Sequence, residues 1–310
     1  MKYFRRFLLL FLKGVGIGSA DILPGISGST IALITGVYEE LLVSIQAFDV
    51  TAFRLFFAGR FKALWHHLHG AFLLPLVGGI VLSLVTTVQL VVYLLQYHPI
   101  QTWSFLGGLL LVATFTVYRQ VKQWHLHTLL VSLVGVVFAY SMTQVTPLHT
   151  PNTSGFIGLV GAIACCAMLL PGISGSFMLL LLGKYAFMLG ALKDLKLSIL
   201  APFSAGGLVG LLSFARLIAW LLRQHHDPTL ALLAGFMLGS LHKLWPWQFL
   251  ENPLMLNNHS PSVSQHLSPF QFQALYQRDP LVAQALLWMS LGMLLVVGME
   301  QQVRSQKRKA

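Results

Sequence analysis

Charged side chains are scarce in this 310-residue chain. Asp, Glu, Lys and Arg together make up 9% of it, against roughly 25% in an average soluble domain. With 56% apolar residues, that scarcity excludes an ordinary soluble fold. Acidic groups are the rarest, 9 against 20 basic ones. The resulting charge of +11 lies mostly in short runs between apolar stretches, which is a pattern of membrane topology and not of nucleic-acid binding. Cysteine is almost missing. Cys165 and Cys166 are adjacent inside an apolar run, so they supply neither a disulfide framework nor a metal-ligand spacing and read as packing residues. Long polar stretches are missing too. At about 20 apolar residues per spanning helix, the chain has room for eight or nine such segments and for no appended soluble domain. Residues 1–12 resemble a signal peptide, but Lys13 interrupts the apolar run and no A-x-A cleavage pattern follows, so this stretch is expected to be retained.

What the chain does have is repetition. Leu-Pro-Gly-Ile-Ser-Gly-Ser occurs at 23–29 and again at 170–176, an offset of 147 residues that also maps Gly14 on Gly161, Ala20 on Ala167, Gly36 on Gly183 and Tyr38 on Tyr185. At an offset near 127, Pro75 with Gly78-Gly79 answers Pro202 with Gly206-Gly207, and Leu106-Gly107-Gly108-Leu109 answers Leu233-Ala234-Gly235-Phe236. Each half therefore reads as a helical hairpin around the heptapeptide followed by three spanning helices. A hairpin returns the chain to its side of entry, and three crossings are odd, so the second half is expected upside down relative to the first. The fold class is thus an all-α polytopic membrane protein of two inverted-topology repeats, 1–150 and 151–310. Its re-entrant hairpins fall at 7–48 and 156–192, and a solvated external loop at 246–280 is rich in Asn, Ser, Gln and Pro.

The positive-inside rule tests this independently. With both termini cytoplasmic, the inner segments hold Lys2, Arg5, Arg6, Arg54, Arg60, Lys62, Arg119, Lys122, Arg223, Arg304, Lys307, Arg308 and Lys309, while the outer ones hold only Lys193, Lys196, Lys243 and Arg278.

The heptapeptide has a physical reading of its own. Pro24 has no amide to donate, Gly25 and Gly28 tolerate positive φ, and Ser27, Ser29 or Thr30 can N-cap the helix that follows. From Ser29 to Tyr38 the helix extends about 14 Å, close to half of a roughly 30 Å hydrocarbon core. If the two hairpins enter from opposite faces, their tips meet near the midplane. Amides and hydroxyls of Ser27, Gly28, Ser29 and Thr30, and of Ser174, Gly175 and Ser176, then converge on one small volume suited to an anion. Close packing of small residues is the competing explanation. An incoming arm of 7–23 is also long enough to span and place the loop at a surface.

Ionisable residues inside apolar stretches are few and therefore functional candidates. Asp21 precedes the first loop, where the second copy has Met168, and is read as a proton or Na⁺ site or as a hydrogen-bonded acid. Arg216 lies seven residues before Arg223, about 10 Å inside the membrane by helical rise. It either snorkels or offers a phosphate its bidentate partner. Its counterpart Gln89 is also polar, which suggests that both face inward. Glu39 is kept as a proton-coupling group and Glu40 as interfacial, while Lys13 and Lys184 read as snorkelling. His66, His67 and His69 beside Trp65 suit an interfacial helix on acidic lipid better than a zinc site, and His225, His226 and Asp227 a solvated turn.

Residues 18–30, Gly-Ser-Ala-Asp-Ile-Leu-Pro-Gly-Ile-Ser-Gly-Ser-Thr, followed by Gly36-Val37-Tyr38-Glu39, resemble the PopT family of bacterial polyprenyl-phosphate transporters. The likeness runs through the second loop and the Gly-Gly spans, with Ser29 standing where the family pattern has Gly. The resemblance implies recycling of undecaprenyl phosphate, the lipid carrier of cell-wall precursors, from the outer to the inner leaflet of the bacterial cytoplasmic membrane. It further implies a flippase with no cofactor and no metal, whose partners are the lipid substrate and the surrounding membrane, without nucleic acid. Coupling to protons or Na⁺ and a homo-oligomer are both compatible with it. Two other classes compete. Opposed half-helices also build passive channels for small ions or solutes. The Gly25-Ile26-Ser27-Gly28 string resembles the nucleophile motif of rhomboid-type intramembrane proteases, but no histidine falls mid-span to serve as base, so the chain is read as no enzyme.

Overall fold

The computed structural model describes residues 2–23, 26–145, 148, 150–248 and 266–307, with 2–3 and 302–307 described by backbone only. Pro24 and Gly25, residues 249–265 of the expected external loop, and Arg308 and Lys309 lie outside the described residues. The helices are α1 (Lys2–Ile22), α2 (Gly28–Ile34), α3 (Tyr38–Gln46), α4 (Val50–Phe57), α5 (Phe61–His67), α6 (Gly70–Tyr97), α7 (Pro99–Tyr118), α8 (Leu126–Gln144), α9 (Ser154–Leu169), α10 (Gly175–Leu181), α11 (Tyr185–Lys193), α12 (Leu197–Gln224), α13 (His226–Ser240), α14 (Pro269–Tyr276) and α15 (Val282–Lys307). Among the described residues there is no strand, only one antiparallel bridge between Gln248 and His266. Five helices, α6, α7, α8, α12 and α15, are long and apolar enough to cross a membrane, which makes this a multi-pass membrane protein.

The sequence repeat reappears as matched local geometry. α6 and α12 both have 28 residues, carry Pro75 and Pro202 at the same place, and end on His98 and His225, each with φ −134°. In both halves the segment after the heptapeptide is not one arm, as expected from 30–48, but two helices bent by 117° (α2 and α3) and 111° (α10 and α11). The cause is Gly36 and Gly183, which adopt φ of 71° and 64°. The Gly36 amide donates to the Leu33 carbonyl and the Val37 amide to that of Ala32, and Gly183 and Lys184 repeat the pattern on Leu180 and Leu179. This is a Schellman stop, which needs the left-handed conformation that glycine adopts without strain.

Four helix pairs dominate the packing: α1 with α6, α9 with α12, α7 with α15, and α8 with α13. The first two are equivalent pairs within the two halves. The last two are an exchange, because the final helix of each half lies on the middle helix of the other. All four are seated on glycine. A Cβ on Gly14 would overlap the Leu76 carbonyl, one on Gly161 that of Phe203, one on Gly108 that of Met289, and one on Gly235 that of Ser132. Close backbone approach of this kind is how helices associate in lipid, where burial of apolar surface supplies little drive.

α4 and α5 lie outside this bundle and expose Phe53, Phe56, Phe57, Phe61 and Trp65 next to Arg54, Arg60 and Lys62. That is the character expected of an interfacial stretch on acidic lipid. Within it His67 meets Asp49 at 3.0 Å, and Asp49 also accepts the Ala52 amide at 2.9 Å as the α4 N-cap. The Ala52 amide first, and then His67, hold the Asp49 carboxyl below its usual range.

Candidate functional site

The segments around the two heptapeptides meet inside the bundle. The Gly172 amide donates to Thr30 Oγ1 at 3.1 Å, Ser27 Oγ donates to the Met168 carbonyl at 3.4 Å, and the Tyr38 hydroxyl donates to the Leu169 carbonyl at 2.6 Å. All three bonds join residues of the first half to the end of α9 and the loop after it. Because Ser27, Thr30 and Tyr38 are buried, each bond replaces one that water would otherwise provide.

The loops share a backbone plan but differ in chemistry. Ser27 and Ser174 are the extended N-cap residues of α2 and α10, yet neither caps its helix with its side chain. Ser27 Oγ pairs with Ser29 Oγ, and Ser174 Oγ with Ser176 Oγ, each at 2.7 Å. In the first loop the Gly28 amide donates to Asp21 Oδ1 at 2.7 Å, so the amide expected to await an anion is already taken by a carboxylate from the same chain. In the second loop the side chain of Met168 stands beside Gly175, where Asp21 stands beside Gly28. One loop thus carries a built-in negative group and the other a thioether.

Access differs in the same sense. Ser27, Gly28, Ser29 and Thr30 are all buried. Gly175 is buried too, but Ser176 is exposed, and Ser174 lines a small cavity of about 20 Å³ with Phe177, Thr143, Ser240 and Lys243. Sequence reasoning placed Lys243 among the outer-loop charges and missed it. Its one available signal was position, just past a glycine-rich span that the repeat aligns with α7.

The other candidates lie apart from this junction. Arg216 is exposed on α12, and among the described residues no hydrogen bond links it to either loop. The buried stripe of α12 passes through Gly207, Gly210, Ala215, Ile218, Ala219 and Leu222, which points Arg216 off the packed face. Its counterpart Gln89 is exposed on α6, so the expectation that both face inward does not hold. Glu39 is exposed in the first turn of α3. Lys13 and Lys184 do not snorkel. Lys13 Nζ donates to the Thr35 carbonyl at 2.8 Å, and Lys184 Nζ to the Thr150 carbonyl at 2.6 Å and to Asn152 Oδ1 at 2.5 Å. Among the described residues no histidine bonds to Ser27 or Ser174, whose hydroxyls are engaged with Ser29 and Ser176.

The bonds across the junction carry a testable cost. Tyr38→Phe leaves the buried Leu169 carbonyl without its donor, at about 1–3 kcal/mol. With about 2–4 °C of melting temperature per kcal/mol at this chain length, a fall of several degrees is expected in a thermal melt in detergent. Tyr185→Phe, at the matching but half-buried position, is expected to change the melt much less.

Residues 17–262 match a family described as undecaprenyl phosphate translocase-like. A polyprenyl-phosphate transporter of Vibrio cholerae is 44% identical over 299 residues, covering 95% of this chain and 96% of that protein. One of Staphylococcus aureus is 32% identical over 253 residues, covering 76% and 85%. No solved structure matches the chain.

Proposed function

We propose, on the premise that this chain belongs to the undecaprenyl phosphate translocase-like family, that it is a secondary transporter of polyprenyl phosphate in the bacterial cytoplasmic membrane. Its substrate is undecaprenyl phosphate, taken from the outer leaflet and delivered to the inner one, which returns the carrier lipid for cell-wall synthesis. Both termini are cytoplasmic, and the halves are inverted repeats that rock about the junction of the two serine loops.

The observation that carries this reading is the meeting of the duplicated loops through Thr30 and Gly172. A site at the contact of two broken segments from related halves is the arrangement by which alternating access works, since opening one side closes the other. The headgroup is a small dianion that needs hydroxyl and amide donors, while its hydrocarbon tail stays in lipid beside the protein. Ser27, Gly28, Ser29, Thr30, Ser174, Gly175 and Ser176 supply the donors in turn as the halves move. Arg216, exposed on α12, meets the phosphate along its path and not at the junction. Asp21, and with it Glu39, couples the movement to protons or Na⁺.

Exchange of undecaprenyl phosphate between leaflets of reconstituted vesicles tests this. Removing both hydroxyls with Ser27→Ala and Ser174→Ala is expected to slow exchange roughly 10- to 100-fold, the equivalent of about 1.5–3 kcal/mol for hydrogen bonds to a charged group. Arg216→Ala is expected to slow it without altering the melting temperature. Unchanged exchange in all of these variants would remove the junction as the headgroup site.

A further inference from the structure

Lys243 is an interior lysine with no acceptor. Lys13 and Lys184 both donate to carbonyl oxygens. The ammonium of Lys243 instead lies 3.2 Å from the centre of the Phe177 ring. The residue is half-buried in the wall of the cavity at the second serine loop, and no carboxylate or hydrogen-bond acceptor reaches it among the described residues. A ring face stabilises a cation by about 0.5–2 kcal/mol. Partial burial strips an ammonium of part of its hydration, and here no counter-charge replaces it. The imbalance leaves a position waiting for an anion.

The rest of the cavity says which anion. No acidic residue lines it, Met142 and Phe177 give it apolar walls, and Ser174, Ser240 and Thr143 bring hydroxyls, of which those of Ser240 and Thr143 donate to the Met237 and Tyr140 carbonyls and have to turn to meet an anion. Hydroxyls and one cation suit a phosphate monoester, and apolar walls suit one that carries a hydrocarbon chain. The equivalent place at the first loop has the opposite character. At the 127-residue offset Lys243 corresponds to Thr116, which donates to Glu300 Oε2 at 3.3 Å, and Asp21 occupies the first loop itself. Negative groups gather at one loop and the cation at the other.

We propose that Lys243 is the residue that receives the phosphate, in the cavity between the second serine loop and the ends of α8 and α13, and that the first loop holds no phosphate in this conformation. This rests on the transport reading and adds to it the seat at which the headgroup is first taken. Lys243 makes a charge-assisted bond to a phosphate oxygen and leaves the Phe177 ring to face the first carbons of the chain.

The test uses the full chain in phosphatidylcholine nanodiscs, with undecaprenyl phosphate, undecaprenol and inorganic phosphate as separate ligands and binding read from thermal stabilisation. Wild-type protein is expected to be stabilised by undecaprenyl phosphate and not by undecaprenol. Lys243→Met is expected to weaken undecaprenyl phosphate binding roughly 10- to 100-fold while leaving the ligand-free melting temperature equal or higher, because a half-buried charge without a counter-ion has been removed. Lys243→Arg is expected to restore part of the affinity. A purely structural lysine would instead lower the ligand-free melt in both variants. Binding by Lys243→Met equal to wild type would overturn the assignment and leave the transport reading standing if Ser27→Ala with Ser174→Ala still slows exchange. Absence of wild-type stabilisation by undecaprenyl phosphate would overturn both. Stabilisation by inorganic phosphate alone, lost in Lys243→Met, would overturn the lipid as occupant.

Discussion

Gly108→Leu is expected to remove most of the folded protein. The Cβ would occupy the place of the Met289 carbonyl, and a backbone group in a packed helix cannot rotate aside as a side chain would. Gly292 meets the Phe105 carbonyl from the other side of the same contact, so α15 cannot slide to relieve the overlap without losing both approaches. Overpacking on this scale costs about 3 kcal/mol or more. In lipid the separated helices recover little of it, since lipid tails solvate apolar side chains as well as a neighbouring helix does. Gly298→Leu is the control on the partner helix α15, where nothing lies within 4 Å of a built Cβ, and it is expected to express and elute as wild type. Size-exclusion profiles of fluorescent fusions distinguish the two outcomes. Normal elution and melting of Gly108→Leu would show that the α7–α15 contact is not what holds these helices together.

Asp21→Asn is expected to separate folding from coupling. The Asn side-chain oxygen can accept the Gly28 amide as the carboxylate does at 2.7 Å, so the start of α2 stays capped. The group that can exchange a proton or attract a cation is gone. Exchange of undecaprenyl phosphate driven by a proton or Na⁺ gradient is expected to fall at least about tenfold, the size of a 1.4 kcal/mol loss, with the melting temperature close to wild type. Asp21→Leu removes the cap as well and is expected to cost about 1 kcal/mol of stability. Glu39→Gln, at an exposed position, is expected to have the smaller effect. Should Glu39→Gln lose the gradient response while Asp21→Asn keeps it, the coupling role belongs to Glu39.

The sequence made the helical class readable because apolar periodicity and the shortage of charge are local properties. It also showed the twin loops, since identical heptapeptides need no structure to be seen. The stop at Gly36 and Gly183 was visible as a matched pair of glycines, but whether a glycine ends a helix or lets another helix approach depends on its φ, and that is not written in the residue type. Gly161 and Gly183 illustrate the two uses, one under the Phe203 carbonyl and the other at φ 64°. Side-chain direction was the larger gap. Arg216 sits one residue beyond the buried Ala215, about 100° around the helix, and that step turns an inward guanidinium into an exposed one. Lys13 and Lys184 were assigned to the membrane edge by their place along the chain, whereas their ammonium groups reach carbonyls contributed by other segments. Lys243 was hidden for the same reason, because its ring partner Phe177 lies in a segment 66 residues earlier.

The exchange of final helices between the halves bears on how the chain is made. α7 finds its broadest partner in α15, which is synthesised long after it, and α8 must wait for α13. A nascent first half therefore resides in the bilayer with two flanks uncovered, open to quality-control proteases and to stray helices, and synthesis has to reach α15 before the early membrane segments are locked.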